Sequence, residues 1–259
     1  MKLVVAGGNG FIGAEICRVA VQNGHEVAAF GRTGRPPLSP ARHPWTGSVE
    51  WRAADVFEPD TWRDLLEGAD VVLHSIATIQ EDPTQGITFD RVNAESALLV
   101  AREAMEANVN TFVYLSVRDK PPFISPDFLA AKRRAEHEVP TQYSELRTVS
   151  LRPNLVYGPR RGGSSTIAAV LNQLPVGVAG GYAEADGHPL PVELVAAAAV
   201  HAALTPMLKG TLTVPQIADV GRTSGLVELD DLSEPTLTPL LAGLGGAALG
   251  TWLLRRWWS

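Results

Sequence analysis

Cysteine is nearly absent from this sequence: Cys17 is the only one among 259 residues. An intrachain disulfide is therefore excluded, and so are the paired-cysteine motifs that bind metals or carry out thiol redox chemistry. Because Cys17 falls where helical periodicity points toward a core, we interpret it as a small buried hydrophobic residue. The first predicted strand starts at Lys2 and leaves no room for a cleavable signal peptide, so we expect a reducing, cytoplasmic compartment.

Clustered positive charge is scarce as well. Lys and Arg number 22 against 28 Asp and Glu, which gives a formal net charge of −6. Binding to nucleic acid requires grouped basic residues that neutralise phosphates. The short basic groups at 132–134 and 160–161 stand isolated in mixed sequence. Nucleic acid is therefore not an expected partner.

What the sequence does contain is a regular alternation of short apolar runs and amphipathic stretches. Strands are predicted at 2–6, 26–30, 49–52, 71–74, 111–116 and 147–151. Helices are predicted at 12–23, 59–66, 89–107, 126–139, 166–174 and 192–204, the fourth of these ending before Pro140. Strands separated by helices of this length require crossover connections, so the predicted fold class is α/β, a Rossmann-type parallel sheet flanked by helices.

The pattern also suggests two parts of unequal size. Residues 1–220 form the predicted Rossmann domain, and its looser, glycine- and proline-rich end at about 153–220 is interpreted as a small substrate-side lobe. Residues 221–259 form an acidic linker and an apolar C-terminal tail.

The tail has two interpretations. Residues 237–254 are eighteen uncharged residues, followed by two Arg and two Trp; this reaches the lower limit for a bilayer span and ends in residues that suit a headgroup interface. Its glycines and Pro239 weaken an isolated helix in water, yet a terminal helix packed on the protein's own lobe stays an alternative. We favour contact with a membrane surface through residues 237–258, at the periphery of the inner membrane.

A glycine motif lies between the first predicted strand and the first predicted helix. Gly7 permits a tight turn, Gly10 lets the backbone approach a pyrophosphate, and Gly13 allows close packing of helix on strand. The N–H groups at the start of the helix then face the phosphates. The alternative is a glycine-rich turn without a ligand; the succession of strands and helices behind it favours binding. The residues predicted to hold the dinucleotide here are Gly7, Asn9, Gly10, Phe11, Ile12 and Gly13.

The choice of cofactor is expected at the end of the second strand. An NAD enzyme places Asp or Glu there, about twenty residues past the glycine loop, to bind the ribose 2′-hydroxyl. This chain has Arg32 at that point and no acid nearby. A guanidinium matches a phosphate in charge and geometry, so NADP(H) is predicted over NAD. The alternative is that Arg32 and Arg35 are solvated loop charges.

The order of motifs, from Gly7 through the Val-Asn pair near position 93 to Arg152-Pro153, resembles that of the extended and atypical short-chain dehydrogenase/reductases. The resemblance implies that Asp55, with Val56, contacts adenine. It implies that the loop after the fourth strand passes the ribose and pyrophosphate. His74 is better interpreted as a packed residue than as a base. The further cofactor contacts carried over from the resemblance are Ser75, Ile76, Ala77, Lys132 and Pro153.

The superfamily's catalytic motif is altered in this chain. In the superfamily this motif is Tyr-x-x-x-Lys, with a hydroxyl residue at the end of the fifth strand. The tyrosine and the lysine are four residues apart, so they share one face of a helix. Here Lys132 and Ser116 are present, but Phe128 replaces the tyrosine. Phenylalanine donates no proton, and general acid catalysis is worth typically ~10²–10⁴ in rate. We therefore predict no ordinary dehydrogenase activity, with Tyr114 and Tyr157 as conceivable substitute donors.

Within the superfamily, the sequence is similar to atypical members that serve quinone systems: the short-chain-dehydrogenase-like protein of the coenzyme Q synthesis complex and the NADPH-binding accessory subunit of respiratory complex I. The similarity is densest over residues 2–75. It implies an NADP(H)-binding protein that stabilises or regulates a membrane-bound complex handling a quinone or isoprenoid ligand. Two alternatives stay open: an active NADP-dependent reductase, epimerase or dehydratase on a hydrophobic substrate, and a nonenzymatic NADPH sensor.

Overall fold

The computed structural model describes residues 1–119, 124–160 and 187–235. The predicted helix at 166–174 and the apolar tail at 237–258 lie outside these residues. Among the residues that are described, no helix combines the length and the apolar character that crossing a membrane requires.

The described residues form two parallel sheets. The strands are β1 Lys2–Ala6, β2 Glu26–Gly31, β3 Val49–Ala53, β4 Val71–His74, β5 Thr111–Leu115, β6 Arg147–Leu151, β7 Val156–Tyr157, β8 Leu190–Pro191 and β9 Gly210–Leu212. The main sheet has seven strands in the order β3-β2-β1-β4-β5-β6-β9, and β7 and β8 form the second sheet. The order reverses between β1 and β4, the point at which doubly wound sheets form their ligand crevice. The predicted Rossmann-type sheet is confirmed.

Five α-helices flank the main sheet in the described part of the chain. Alternate residues of β1 enter two separate cores: Leu3 and Val5 face one core, and Val4 faces the other. Strands buried on both faces in this way are typical of parallel sheets. The helices are α1 Phe11–Gln22, α2 Ser96–Glu106, α3 Pro126–Gln142, α4 Val192–Leu204 and α5 Val214–Thr223.

Two helix predictions need correction. The stretch predicted as one helix at 59–66 is two short 3₁₀ turns, Pro59–Thr61 and Arg63–Leu66. Trp62 between them is fully buried and stacks on Phe30 with ring centroids 4.5 Å apart, so packing against the sheet overrides the local helical pattern. Helix α3 runs through Pro140 instead of ending before it. Proline lacks an N–H and crowds the carbonyl four residues before it. The last turn of α3 forms nevertheless, since the N–H of Tyr143 donates to the Val139 carbonyl at 3.0 Å.

The C-terminal part of the described chain belongs to the layers of the main domain. Strand β9 pairs with β6, and α4 packs beside α1 and α5. The guanidinium of Arg147, on β6, donates to the carbonyl oxygens of Ala202 and Ala203 at the end of α4 and to that of Leu208. These bonds tie α4 to the sheet, so this part of the predicted substrate-side lobe is continuous with the layers of the Rossmann domain.

Candidate dinucleotide-binding site

The glycine loop is built by close backbone contacts. Gly7 has φ +83°, a left-handed conformation that side chains disfavour, and its N–H donates to the Phe30 carbonyl at 2.8 Å. The Gly10 N–H donates back to the Gly7 carbonyl at 3.0 Å. A Cβ on Gly13 would lie 2.2 Å from that same oxygen. Residues 7 and 13 therefore have to be glycine if the first helix is to sit this close to β1.

Helix α1 begins directly at the loop. Its N-cap is Gly10, in an extended conformation and without a side-chain cap. Phe11 and Ile12 form the first turn, with Ile12 packed partly against the core. The positive end of the helix dipole thus stands at the loop, an arrangement that suits a phosphate.

A cleft of roughly 720 Å³ opens at the carboxyl ends of β1 to β4. Nine of the predicted cofactor residues line it: Gly7, Asn9, Gly10, Arg32, Asp55, Val56, Ser75, Ile76 and Ala77. The structure therefore brings together residues from the glycine loop and from the loops after β2, β3 and β4. The lining residues that sequence reasoning missed are Gly31, Ala54, Phe57, Thr78, Gln80, Glu81, Asp82, Gln85, Gly86, Ile87, Arg91 and Val92.

Asn9 shapes the part of the cleft next to Arg32. Its amide lies over the end of β2, where a Cβ on Gly31 would be 2.1 Å from the Asn9 Oδ1 atom, and its Nδ2 donates to Thr33 Oγ1 at 2.6 Å. Arg32 follows directly, exposed and lining the cleft. Arg35 does not line it. The cleft lining therefore contains Arg32, the arginine that the sequence predicts for cofactor selection, and not Arg35.

Asn93 holds the loop after β4 in place. Its side-chain oxygen accepts the Thr78 N–H at 3.1 Å, and its Nδ2 donates to the Thr78 carbonyl at 3.0 Å. Asn93 lies in a π-helical turn, Arg91–Glu95, that precedes α2; such turns are frequent at functional sites. On the other side of the loop, Ser75 Oγ donates to the Ala6 carbonyl at 3.0 Å.

His74 is a packed residue in this structure, as interpreted from the sequence. It is fully buried, and Ser96 Oγ, which donates to the Val92 carbonyl, lies 3.0 Å from its Nε2 atom. The ring therefore donates through Nε2. Burial lowers the pKa of His74 to about 3, helped by the nearby charge of Lys132. A neutral, enclosed imidazole of this kind is not placed to act as a base.

The residues of the altered catalytic motif lie outside the cleft lining. Phe128 is 4% exposed and packs edge-to-face on Phe89, with centroids 5.9 Å apart. Ser116 Oγ accepts a long bond of 3.4 Å from Arg133. Pro153 is buried, and its carbonyl accepts an N–H from the loop after β5. The structure does not bring Ser116, Phe128 or Pro153 to the glycine loop's cleft.

Lys132 is directed into the core. It is 2% exposed; its amine donates to the Leu115 carbonyl at 3.0 Å and lies 4.9 Å from the ring centroid of Tyr114. Burial lowers the pKa of Lys132 to about 7, against an opposing effect of Glu136. The bond to Leu115 uses one of the three N–H donors that a charged lysine amine carries.

The proposed substitute donors are also not available at the cleft. Tyr114 shares a strand face with Ser116, but its hydroxyl is buried and donates to the Asn93 carbonyl at 2.6 Å, and burial raises its pKa well above the usual value. Tyr114 as a substitute proton donor is therefore corrected. The alternation of side chains along a strand predicts which face Tyr114 occupies, but not that its hydroxyl is buried. Tyr157 lines a different groove, beside Pro191 and Arg222.

Comparison with known proteins identifies the family. A model of the NAD dependent epimerase/dehydratase family matches residues 3–181. The chain belongs to this family. The resemblance to extended and atypical short-chain dehydrogenase/reductases is thereby confirmed.

Three relatives carry names of different kinds. MIOREX complex component 2 of Saccharomyces cerevisiae is 29% identical over 62% of this chain and 74% of its own length. The mitochondrial protein FMP52 of Debaryomyces hansenii is 24% identical over 90% of this chain and 98% of its own. A 2-alkyl-3-oxoalkanoate reductase of Stenotrophomonas maltophilia is 27% identical over 61% of this chain, which spans about half of that enzyme, 52%.

Solved structures share the fold. The UDP-glucose 4-epimerase of Thermus thermophilus, crystallised with NAD, superposes with a TM-score of 0.59 and 23% identity. The match covers 93% of this chain and 91% of the epimerase. The architecture of this chain is thus the one on which that epimerase is built.

The burial of Lys132 predicts a pH dependence of stability. Its pKa is about 7 in the folded protein and about 10.4 unfolded, so between these values the unfolded state binds more protons and stability rises with pH. Relative to Lys132→Met, the free energy of unfolding of the wild type should rise from pH 7 to pH 10, by up to roughly 4 kcal/mol. Urea denaturation across this range measures it. Lys209→Met, at an exposed lysine, should follow the wild-type profile; a constant difference between wild type and Lys132→Met would contradict the prediction.

Proposed function

We propose that this chain is an NADP(H)-binding, atypical short-chain dehydrogenase/reductase-like protein without ordinary dehydrogenase chemistry, acting in quinone biosynthesis or respiration. The observation that carries the proposal is a contrast within one fold. The glycine loop and its cleft are intact, while the position of the catalytic tyrosine holds Phe128, packed on Phe89.

The preference for NADP(H) rests on Arg32. It lines the cleft next to the glycine loop, and none of the described ion pairs involves it. Two acidic side chains of the cleft are engaged locally: Glu81 accepts the Phe89 N–H at 2.7 Å, and Asp82 accepts from Thr84. A guanidinium without a carboxylate partner suits the 2′-phosphate of NADP.

The first test is nucleotide preference. The wild type should bind NADPH more tightly than NADH, and Arg32→Ala should weaken NADPH binding by roughly 10- to 100-fold, the loss of charged hydrogen bonds worth about 1.5–3 kcal/mol. Binding of NADH should change little. Isothermal titration calorimetry measures both, with Arg35→Ala as the matched control outside the cleft. Equal or tighter binding of NADH by the wild type would contradict the NADP assignment.

The second test is turnover. With quinones and isoprenoid carbonyls as substrates, the wild type should oxidise NADPH no faster than the uncatalysed background, because no proton donor stands at position 128. Phe128→Tyr restores the family's tyrosine. Because the ring at position 128 is packed on Phe89 outside the cleft lining, any gain in rate should stay below the ~10²–10⁴ of full general acid catalysis. Phe89→Tyr, which adds the same hydroxyl to the partner ring, should give no gain. Robust turnover by the wild type would overturn the claim of lost chemistry.

An active NADP-dependent reductase on a hydrophobic substrate is the second candidate. The relative described as a 2-alkyl-3-oxoalkanoate reductase favours it. The turnover assay discriminates the two candidates. An active reductase with a relocated proton donor would oxidise NADPH as the wild type, and Phe128→Tyr would not increase its rate.

Service to a protein complex is supported only by the relatives' names, of which one is a complex component and another is mitochondrial. That the complex is membrane-bound is our proposal. We place the protein in the cytoplasm at the periphery of the inner membrane, with residues 237–258 in contact with the membrane surface. A quinone or isoprenoid is its proposed ligand. An NADPH sensor would instead change its protein contacts with nucleotide level, so pull-down from membranes with and without NADPH separates the two.

Deletion of residues 236–259 tests the membrane contact. The full chain should distribute to the membrane fraction and the truncated chain to the soluble fraction, since the deletion removes the whole uncharged run and the Arg-Trp end. Thermal unfolding of both forms controls for misfolding. The same soluble distribution for both forms would remove the membrane contact from the proposal.

A further inference from the structure

A stacked pair of side chains forms one wall of the cleft. The guanidinium carbon of Arg91 lies 4.0 Å from the centroid of the Phe57 ring. Phe57 comes from the turn after β3, and Arg91 from the π-helical turn before α2. Both line the cleft together with Asp55 and Val56. Neither residue is singled out by the sequence motifs.

The backbone N–H of each residue in the pair donates to a nearby side chain. The Phe57 N–H donates to Asp55 Oδ1 at 2.9 Å, and the Arg91 N–H donates to Thr88 Oγ1 at 3.1 Å. Asn93, two residues beyond Arg91, is clamped on Thr78. The contact between Phe57 and Arg91 therefore joins two segments whose backbones are held by local hydrogen bonds.

No acid is paired with the Arg91 guanidinium in the described part of the chain. The neighbouring Asp90 is bound to Arg134 at 2.6 Å. Phe57 lies on one side of the Arg91 guanidinium. Arg91 is exposed and lines the cleft, so we expect its guanidinium to offer a flat group a contact on the side away from Phe57. Arginine stacks on aromatic faces in this way.

We propose that Arg91 stacks on the adenine ring of the bound dinucleotide, with Phe57 behind it as a positioning residue. This inference rests on the proposed binding of NADP(H). The charges nearby favour a neutral base over a phosphate: Asp55 lies two residues before Phe57, and Glu81 binds the backbone N–H of Phe89 close to Arg91. Arg32, at the end of β2, then serves the 2′-phosphate while Arg91 serves the base.

The two arginines therefore predict different effects on binding. Arg91→Ala should weaken NADPH and NADH by the same factor, roughly 5- to 100-fold, the range for loss of one stacked base, and leave their affinity ratio unchanged. Arg32→Ala should instead change the ratio. Isothermal titration calorimetry with both nucleotides measures this. Arg63→Ala, which removes a half-exposed arginine paired with Asp60 outside the cleft, should bind both nucleotides like the wild type.

Each outcome bears on a different claim. A selective loss of NADPH binding in Arg91→Ala would make Arg91 a phosphate ligand and overturn the stacking inference, as would no loss at all. Failure of the wild type to bind either nucleotide would remove the proposed function itself. Thermal unfolding temperatures close to the wild type show that a loss of affinity is not a loss of fold.

A double-mutant cycle tests the role of Phe57. Phe57→Leu should weaken both nucleotides by less than Arg91→Ala, and the double variant should resemble Arg91→Ala, because Phe57 acts only through the guanidinium. Fluorescence of 1,N6-etheno-NADP reports the environment of the base directly. Its emission should change on binding to the wild type and change less on binding to Arg91→Ala. Additive losses in the cycle, or identical emission changes, would contradict the stack.

Discussion

The carbonyl oxygen of Gly7 is the point on which the binding half of the structure depends. It accepts the Gly10 N–H at 3.0 Å. It also lies 3.2 Å from the Ser75 hydroxyl, whose single hydrogen it shares with the Ala6 carbonyl at 3.0 Å. A Cβ on Gly13 would be only 2.2 Å away. One oxygen therefore joins the end of β1, the start of α1 and the loop after β4. Since these segments also line the cleft, its shape follows from that contact.

The region around the altered catalytic motif, near the end of β5, is organised by a different requirement: buried polar groups need hydrogen-bond partners. At the end of β5, Lys132 donates to the Leu115 carbonyl, and Tyr114 donates to the Asn93 carbonyl. Both side chains could serve an active site by residue type alone. Here each fills a hydrogen bond that the core would otherwise leave open, and the edge-to-face pair of Phe128 and Phe89 closes the same region with apolar surface.

Much of the fold could be predicted because its signals are local. Apolar runs and glycine spacing predict β1 to β6 and the loop before α1 to within a residue or two. The failures depend on distant partners: Trp62 leaves the helical pattern to stack on Phe30, and β9 is three residues that form a strand only beside β6. In the site, the spacing of Phe128 and Lys132 predicts a shared helix face, but not that the lysine amine points to a carbonyl of β5. The contact of Arg91 with Phe57 joins two loops, and no motif encodes it.

The separation of the altered catalytic motif from the cleft bears on the choice between binding and turnover. A reductase of this family needs its nicotinamide near a proton donor, and each described candidate is placed elsewhere: Tyr114 is enclosed, Tyr157 lies in another groove, and His74 is neutral and buried. Recruiting any of them would cost a buried hydrogen bond or a packed contact. The binding half carries no such cost, because its arginines line an open cleft. A nucleotide bound in that cleft would stabilise the folded chain by mass action whether or not it reacts.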